Sequence, residues 1–199
     1  MVEIETYGNF KPLGKNKKKH QLILVHSSRD IEKYLQSLKY RYNGKNKKIP
    51  NYVVTKNGKI LKLIDDINYC EYFTNSKINT YSIIICLENL GWLQKEPLKD
   101  YYVNWIGDIY KGKPFEKKWR DYFFWDPYTE EQINATVELV DSLFQKNKIK
   151  RNIVGHNTKL SGVERYEGLT SKSNYDSIYT DVNPSFNFEE FIKKIDNDE

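Results

Sequence analysis

The chain has little cysteine, few prolines and no long apolar run. Its two cysteines, Cys70 and Cys86, stand in no C-x-x-C pair, which excludes a disulfide framework and a cysteine-built structural zinc site. No apolar stretch approaches the roughly 20 residues needed to cross a bilayer, so no transmembrane segment is expected. Met1 to Phe10 mix acids with apolar residues and lack the basic start and apolar core of a signal peptide. These absences lead to the expectation of a soluble product made in the cytoplasm.

What is present suits one folded body. The 199 residues are 39% apolar and 15% aromatic, with 16 tyrosines, which rules out a disordered chain although 30% of the residues are charged. The length fits one α/β domain with insertions, expected as a monomer. The net charge of +5 comes largely from Lys15 to Lys19 and Lys45 to Lys48. Such runs are either solvated loops or a surface that attracts a polyanion, namely nucleic acid or a wall bearing anionic polymers.

Gln21 to His26 (QLILVH) is an apolar run rich in branched residues and reads as a buried strand ending at a histidine. Ser27, Ser28 and Asp30 supply N-cap chemistry for a helix through about Tyr40. Asn51 to Lys56 and Lys59 to Ile64 flank Asn57-Gly58, the signature of a hairpin with a tight primed turn. Tyr81 to Glu88 (YSIIICLE) reads as a second buried strand, placed centrally. Thr129 and Gln132 form a capping box before Ile133, Val137, Val140 and Phe144, which recur at helical spacing to about Asn147. Asn152 to Gly155 is a short strand that delivers His156, and Asn187 with Glu190 caps a C-terminal helix.

Gly91 to Pro127 differs from the rest: it holds all four tryptophans and shows no sustained period. It reads as a long insertion, either a satellite hydrophobic cluster or an aromatic wall for a sugar or peptide.

His26 and His156 each stand where an apolar strand meets a polar loop, the usual place for a site. Asp181 lies in TDVNPSF, before a proline and a capped helix. Two imidazoles and a carboxylate form a common catalytic zinc set with a fourth position open for water, and such a metal suits amide hydrolysis.

The order of these pieces resembles the zinc-dependent N-acetylmuramoyl-L-alanine amidases, a fold shared with phage lysozyme-type amidases and peptidoglycan recognition proteins. The matching segments are ILVHSS (23 to 28), NYVVTKNGKI (51 to 60), YSIIICLEN (81 to 89), YTEEQ and its helix (128 to 147), IVGHNT (153 to 158) and TDVNPSF (180 to 186). The resemblance implies an α/β fold with a central mixed β-sheet flanked by helices, a core over about 20–195, and insertions over about 91–127 and 158–180. It implies Zn2+ held by His26, His156 and Asp181, with peptidoglycan as the substrate, cut between the muramoyl lactyl group and L-alanine. Asn79, Thr74 and Asn51 fall on substrate-binding positions.

The chain departs from the family around the metal. The glutamate that activates water in many members is replaced by Cys86. Glu88 lies two residues on, on the same strand face, and either substitutes or is a solvated strand end. The Lys or Thr placed two residues before the third ligand is Tyr179 here, with Thr180, Lys172 and Arg165 as other candidates for steadying an oxyanion. Pro50 stands where phage members carry a tyrosine. The segment from Thr158 to Thr180 is longer than usual and is either a lid or groove wall, or a surface loop.

Three classes of function follow from this reading. The first is a zinc amidase assisted by Glu88, Tyr179 or Cys86, of the kind a phage or virion uses on a bacterial wall. The second is a binding module of the same fold that recognises the wall without cutting it. The third is a nucleic-acid-binding protein, which is not expected because the basic residues form no interleaved aromatic motif.

Overall fold

The computed structural model describes residues 3–197. The chain opens with β1 (Ile4–Thr6), β2 (Gly14–Lys15) and β3 (Gln21–His26), followed by helix α1 (Ile31–Tyr40). A hairpin of β4 (Tyr52–Val54) and β5 (Ile60–Lys62) leads to β6 (Asn68–Tyr69), the short helix α2 (Ser76–Tyr81) and β7 (Ser82–Leu87). Then come β8 (Trp92–Lys95), β9 (Tyr102–Val103), β10 (Ile109–Tyr110), β11 (Phe115–Trp119) and β12 (Tyr122–Trp125). Helix α3 (Glu130–Asn147), strand β13 (Gly168–Ser171) and helix α4 (Phe188–Asn197) complete the chain.

The main sheet is mixed, six-stranded and ordered β1-β5-β4-β7-β3-β13. Strands β4, β7, β3 and β13 run parallel to one another, so their carboxyl ends share one edge. Parallel strands need cover on both faces, and the alternation of β3 supplies two apolar sets. Leu22 and Leu24 pack with Val140, Phe144 and Phe191 of α3 and α4. Ile23 and Val25 pack with Leu35 and Leu38 of α1 on the opposite face. Because each side chain of the run meets a core, QLILVH shows no polar alternation.

Helix α1 begins where Asp30 accepts from Lys33 N at 2.9 Å, and α3 begins where Thr129 accepts from Gln132 N at 3.2 Å. Gln132 does not reach back to the cap as a capping box requires. Its amide is buried and donates to Val54 O and Glu88 O, tying α3 to the ends of β4 and β7.

Three further local expectations are corrected. Between β4 and β5 only Gly58 takes a positive φ, +79°, and Gly58 N closes the turn onto Thr55 O, so the turn is not a primed two-residue loop. Asn152 to Gly155 forms no strand and contributes a single bridge, Ile153 to Leu169. The tryptophan-rich segment is not irregular: it folds into a five-stranded antiparallel sheet ordered β10-β9-β8-β12-β11.

The segment from Thr158 to Thr180 also contributes to the scaffold. Its strand β13 is the edge of the main sheet, paired with β3 from Gly168 to Gln21 through Ser171 to Leu24. Polar Thr170 and Ser171 are buried there because Thr170 bonds Leu22 O and Ser171 bonds Asn174. Among the described residues, no helix is long and apolar enough to cross a membrane.

Candidate active site

The carboxyl edge of the parallel strands carries the candidate chemistry, because that is where strand ends give way to loops. His26 is the last residue of β3 and is 7% exposed. Its backbone N–H donates to Asp181 Oδ2 at 3.0 Å, and its Nε2 lies 3.8 Å from Asp181 Oδ1. Its Nδ1 is buried without a hydrogen-bond partner among the described residues. Burial lowers the imidazole pKa against the pull of the Asp181 carboxylate, which favours the neutral ring.

Asp181 is held by the main chain as well as by charge. Its carbonyl accepts from Ser173 N at 2.7 Å, which anchors its loop to the turn after β13. Burial works against ionisation, but the electrostatic pull of the His26 ring and of the Lys172 ammonium, with the backbone N–H of His26, outweighs it and holds the carboxyl below its ordinary range. The Lys172 ammonium sits 3.7 Å from Asp181 Oδ2, with the ring of Tyr179 at 4.4 Å and that of Tyr72 at 5.8 Å. Of the oxyanion candidates read from the sequence, Lys172 is therefore the one brought to the carboxylate, with Tyr179 as the surface beneath it.

His156 is placed differently. Its ring is exposed, and its Nδ1 meets Thr158 Oγ1 at 2.9 Å. Its segment is nevertheless tied to the site, because Asn174 donates to His156 O at 2.8 Å and Asn157 donates to Val182 O at 3.2 Å. Among the described residues, no group of three or more His, Cys, Asp or Glu side chains is gathered to hold a metal. The donor types still fit a zinc ion. The buried Nδ1 of His26 has no partner among the described residues and can offer a lone pair in one tautomer, Asp181 is an ionised carboxylate, and His156 is a third donor on an adjoining segment, its Nδ1 met by the N–H and hydroxyl of Thr158.

Of the remaining site residues expected from the sequence, all but Thr74 are bound into the scaffold. Glu88 accepts from Ile31 N at 3.0 Å and from Lys56 N at 2.8 Å, so its carboxylate joins the start of α1 to the hairpin loop. Cys86 is fully buried, bonded by Tyr34, and burial pushes its thiol up to about 12. Asn79 clamps Phe73 through its N–H and its carbonyl, each at 2.7 Å, and Asn51 bonds Asp65 O, Asn68 O and Ile84 N. Thr74 is exposed and lines the groove beside Phe73.

Two cavities meet at His26. The larger, about 820 Å3, runs past Tyr34 and Tyr72 toward the loop after α1 and includes Lys172 and Tyr179. The smaller, about 330 Å3, is lined by His26 and Asp181 together with Leu90, Trp92, Trp105 and Ile178. Trp105 borders both cavities.

Sequence reasoning missed several of these residues. Gly91 is one: its φ is +80°, and a Cβ there would lie 3.3 Å from Cε1 and Nε2 of the His26 ring. Asn89, Asp126 and Asn183 are others, since Asn183 donates to Asn89 Oδ1 and Asp126 O, which locks the loop after Asp181 against the end of β7. A glycine closely following a buried strand was the only local signal for this lock.

The fold and site define a three-layer α/β protein with a polar groove at the carboxyl edge of its sheet. The family profile described as N-acetylmuramoyl-L-alanine amidase matches residues 16–171, and the chain belongs to that family. Its fold is similar to that of the endolysin N-acetylmuramoyl-L-alanine amidase LysCS from Clostridium intestinale URNW, at a TM-score of 0.61 and 11% identity over 98% of this chain and 97% of that one. It is also similar to AmiD from E. coli, solved with anhydro-N-acetylmuramic acid-L-Ala-D-gamma-Glu-L-Lys, at 0.54 and 15% identity over 94% of this chain and 60% of that one. A mutant of PlyL superposes at 0.53 with 13% identity over 98% of each chain. No curated protein sequence matches the chain.

Proposed function

We propose that this chain is a zinc-dependent hydrolase that cleaves the amide bond between N-acetylmuramic acid and L-alanine of peptidoglycan. The observation that carries the reading is His26 at the junction of two cavities, its Nδ1 buried without a partner among the described residues and its Nε2 3.8 Å from the ionised Asp181. His26, His156 and Asp181 would hold the ion, acting within one amidase-like domain and as a monomer. When bound, zinc supplies a Lewis acid for the carbonyl and lowers the pKa of a water.

The chain's own groups do the rest. Lys172, held over the Tyr179 ring, places a fixed positive charge where negative charge develops on the carbonyl oxygen. Tyr72 keeps its proton because burial raises its pKa well above the ordinary phenol value, so it acts as a hydrogen-bond donor on the groove wall. Trp92 and Trp105 offer flat rings to the sugar half of the substrate and exclude water from that side. Likeness to the endolysin LysCS supports an origin as a phage or virion lysin that reaches the wall after release.

One observation favours a second reading, a wall-binding module that does not cut. Glu88 spends both carboxylate oxygens on backbone N–H groups and Cys86 stays a buried thiol, so neither stands ready as a general base. Mass spectrometry of peptidoglycan incubated with protein and zinc separates the two. New L-alanine amino termini support the amidase, while bound but uncut wall supports the module. Metal analysis tests the site itself: zinc content unchanged in His26→Ala and Asp181→Ala would sink the proposed ligand set.

A further inference from the structure

The larger arm of the groove is chemically unlike the smaller one. Its lining carries six cations, Arg29, Arg41, Lys45, Lys47, Lys48 and Lys172, against one carboxylate, Glu71. Lys47 is paired with Glu71 at 3.0 Å and Lys172 with Asp181 at 3.7 Å. Arg29, Arg41, Lys45 and Lys48 have no ion-pair partner among the described residues, whereas Lys56, Lys59, Lys62 and Lys150 elsewhere each have one. Four unpaired cations thus line this arm, whose one carboxylate, Glu71, is already paired, so the arm is locally positive.

The loop that carries these charges is fixed to the scaffold. Arg41 N bonds Ser37 O at 3.1 Å, Asn46 Nδ2 bonds the same carbonyl at 3.4 Å, and Glu71 N bonds Lys47 O at 2.9 Å. A loop backbone held in place loses little further freedom when its side chains bind an anion. The smaller arm offers Leu90, Trp92, Trp105 and Ile178, with Asp181 as its only charged side chain among the described residues.

A substrate whose scissile bond lies at His26 and Asp181 therefore has its halves in two different environments. The ligand seen with AmiD shows the relevant chemistry: a γ-linked glutamate leaves its α-carboxylate free, and a terminal lysine leaves a second carboxylate. Its sugar half, an anhydro-N-acetylmuramoyl group whose lactyl carboxyl is spent in the amide, carries no charge.

We infer that the stem peptide lies in the arm lined by Arg41, Lys45 and Lys48, which select stems with free carboxylates over amidated ones, while the sugar lies against Trp92 and Trp105. The inference rests on the amidase-family reading of the site, and its test is built to fail separately from it. The probes are muramoyl-L-Ala-D-γ-Glu-L-Lys and its bis-amide, offered to the full chain with zinc, with cleavage followed by chromatography and binding by calorimetry. Wild type is expected to bind the free acid about tenfold more tightly than the bis-amide. Combining Arg41→Gln, Lys45→Gln and Lys48→Gln, all exposed positions, is expected to raise KM and Kd for the free acid by about that factor, leaving kcat within about twofold and the bis-amide unaffected.

Equal affinity of wild type for both probes, equal losses on both in the triple variant, or no binding at all would overturn the inference. Binding with the expected selectivity but no cleavage would sink the hydrolase and leave the arm standing. An oligomer of glycerol phosphate distinguishes the other source of negative charge. If the triple variant loses affinity for that oligomer and keeps it for the muropeptide, the arm reads wall phosphodiesters and this assignment is wrong.

Discussion

At the scale of single residues, the site depends on small clearances and on a few buried polar atoms. Gly91 adopts φ +80° and leaves no room between itself and His26, since a Cβ would stand 3.3 Å from the ring. Gly91→Ala is expected to cost about 1–2 kcal/mol in a urea melt from backbone strain, and to lower zinc affinity because the ring must tilt. A variant with wild-type stability and metal content would show that the close approach is unimportant. Glu88 makes the opposite case: its carboxylate anchors two backbone N–H groups. Glu88→Gln is expected to reduce stability by about 1–2 kcal/mol while kcat stays near wild type. A loss of kcat at unchanged stability would return Glu88 to the catalytic role that its position on the strand suggests. Strand spacing sets Glu88 on the same face as Cys86 but does not say which partners it meets, and these are two backbone N–H groups.

At the scale of elements, the legible parts were those where one interaction dominates. The strands ending at His26 and Leu87 were readable because both faces are covered, so their residues form unbroken apolar runs. Helix α3 was readable because its apolar residues face one core. The tryptophan-rich sheet was not, because its strands are two to five residues long and Phe115, Phe123 and Ile109 remain exposed, which erases alternation. Strand β13 was hidden by composition, since GLTS reads as loop until Thr170 and Ser171 find buried partners. The Thr129 cap has a second use, because its hydroxyl also donates to Lys56 O. Thr129→Ala is expected to cost about 1–2 kcal/mol, at the high end for an N-cap because the hairpin loop is loosened with the helix. A cost below a few tenths in chemical denaturation would show that α3 is held by packing alone.

At the scale of the whole molecule, charge is distributed unevenly, and one buried cation links stability to pH. Lys19 is 4% exposed and donates to Thr80 O at 3.0 Å. Burial lowers its pKa to about 8, although Asp66 opposes the shift. The folded chain thus releases a proton that the unfolded chain keeps until its ordinary value of 10.5. Stability contributed by this group rises between those two limits. From pH 8 to 9.5 wild type is expected to gain about 1–2 kcal/mol relative to Lys19→Met, read as the difference between two denaturation series so that the many tyrosines cancel. Parallel series would mean that Lys19 is not titrating in the folded state.

The contact between His26 N and Asp181 Oδ2 joins residues 155 positions apart. At ribosomal speeds of about 5–20 residues per second, a growing chain carries its first donor for roughly 8–30 s before its last exists. Through that interval the central strands can pair and bury their apolar faces, yet the groove has no floor at Asp181 and no cation at Lys172. Strands β3, β4, β5 and β7 can thus pair well before the chemistry exists, while β13 and α4 close the scaffold only as Asp181 arrives, and the protein is inert for most of its own synthesis.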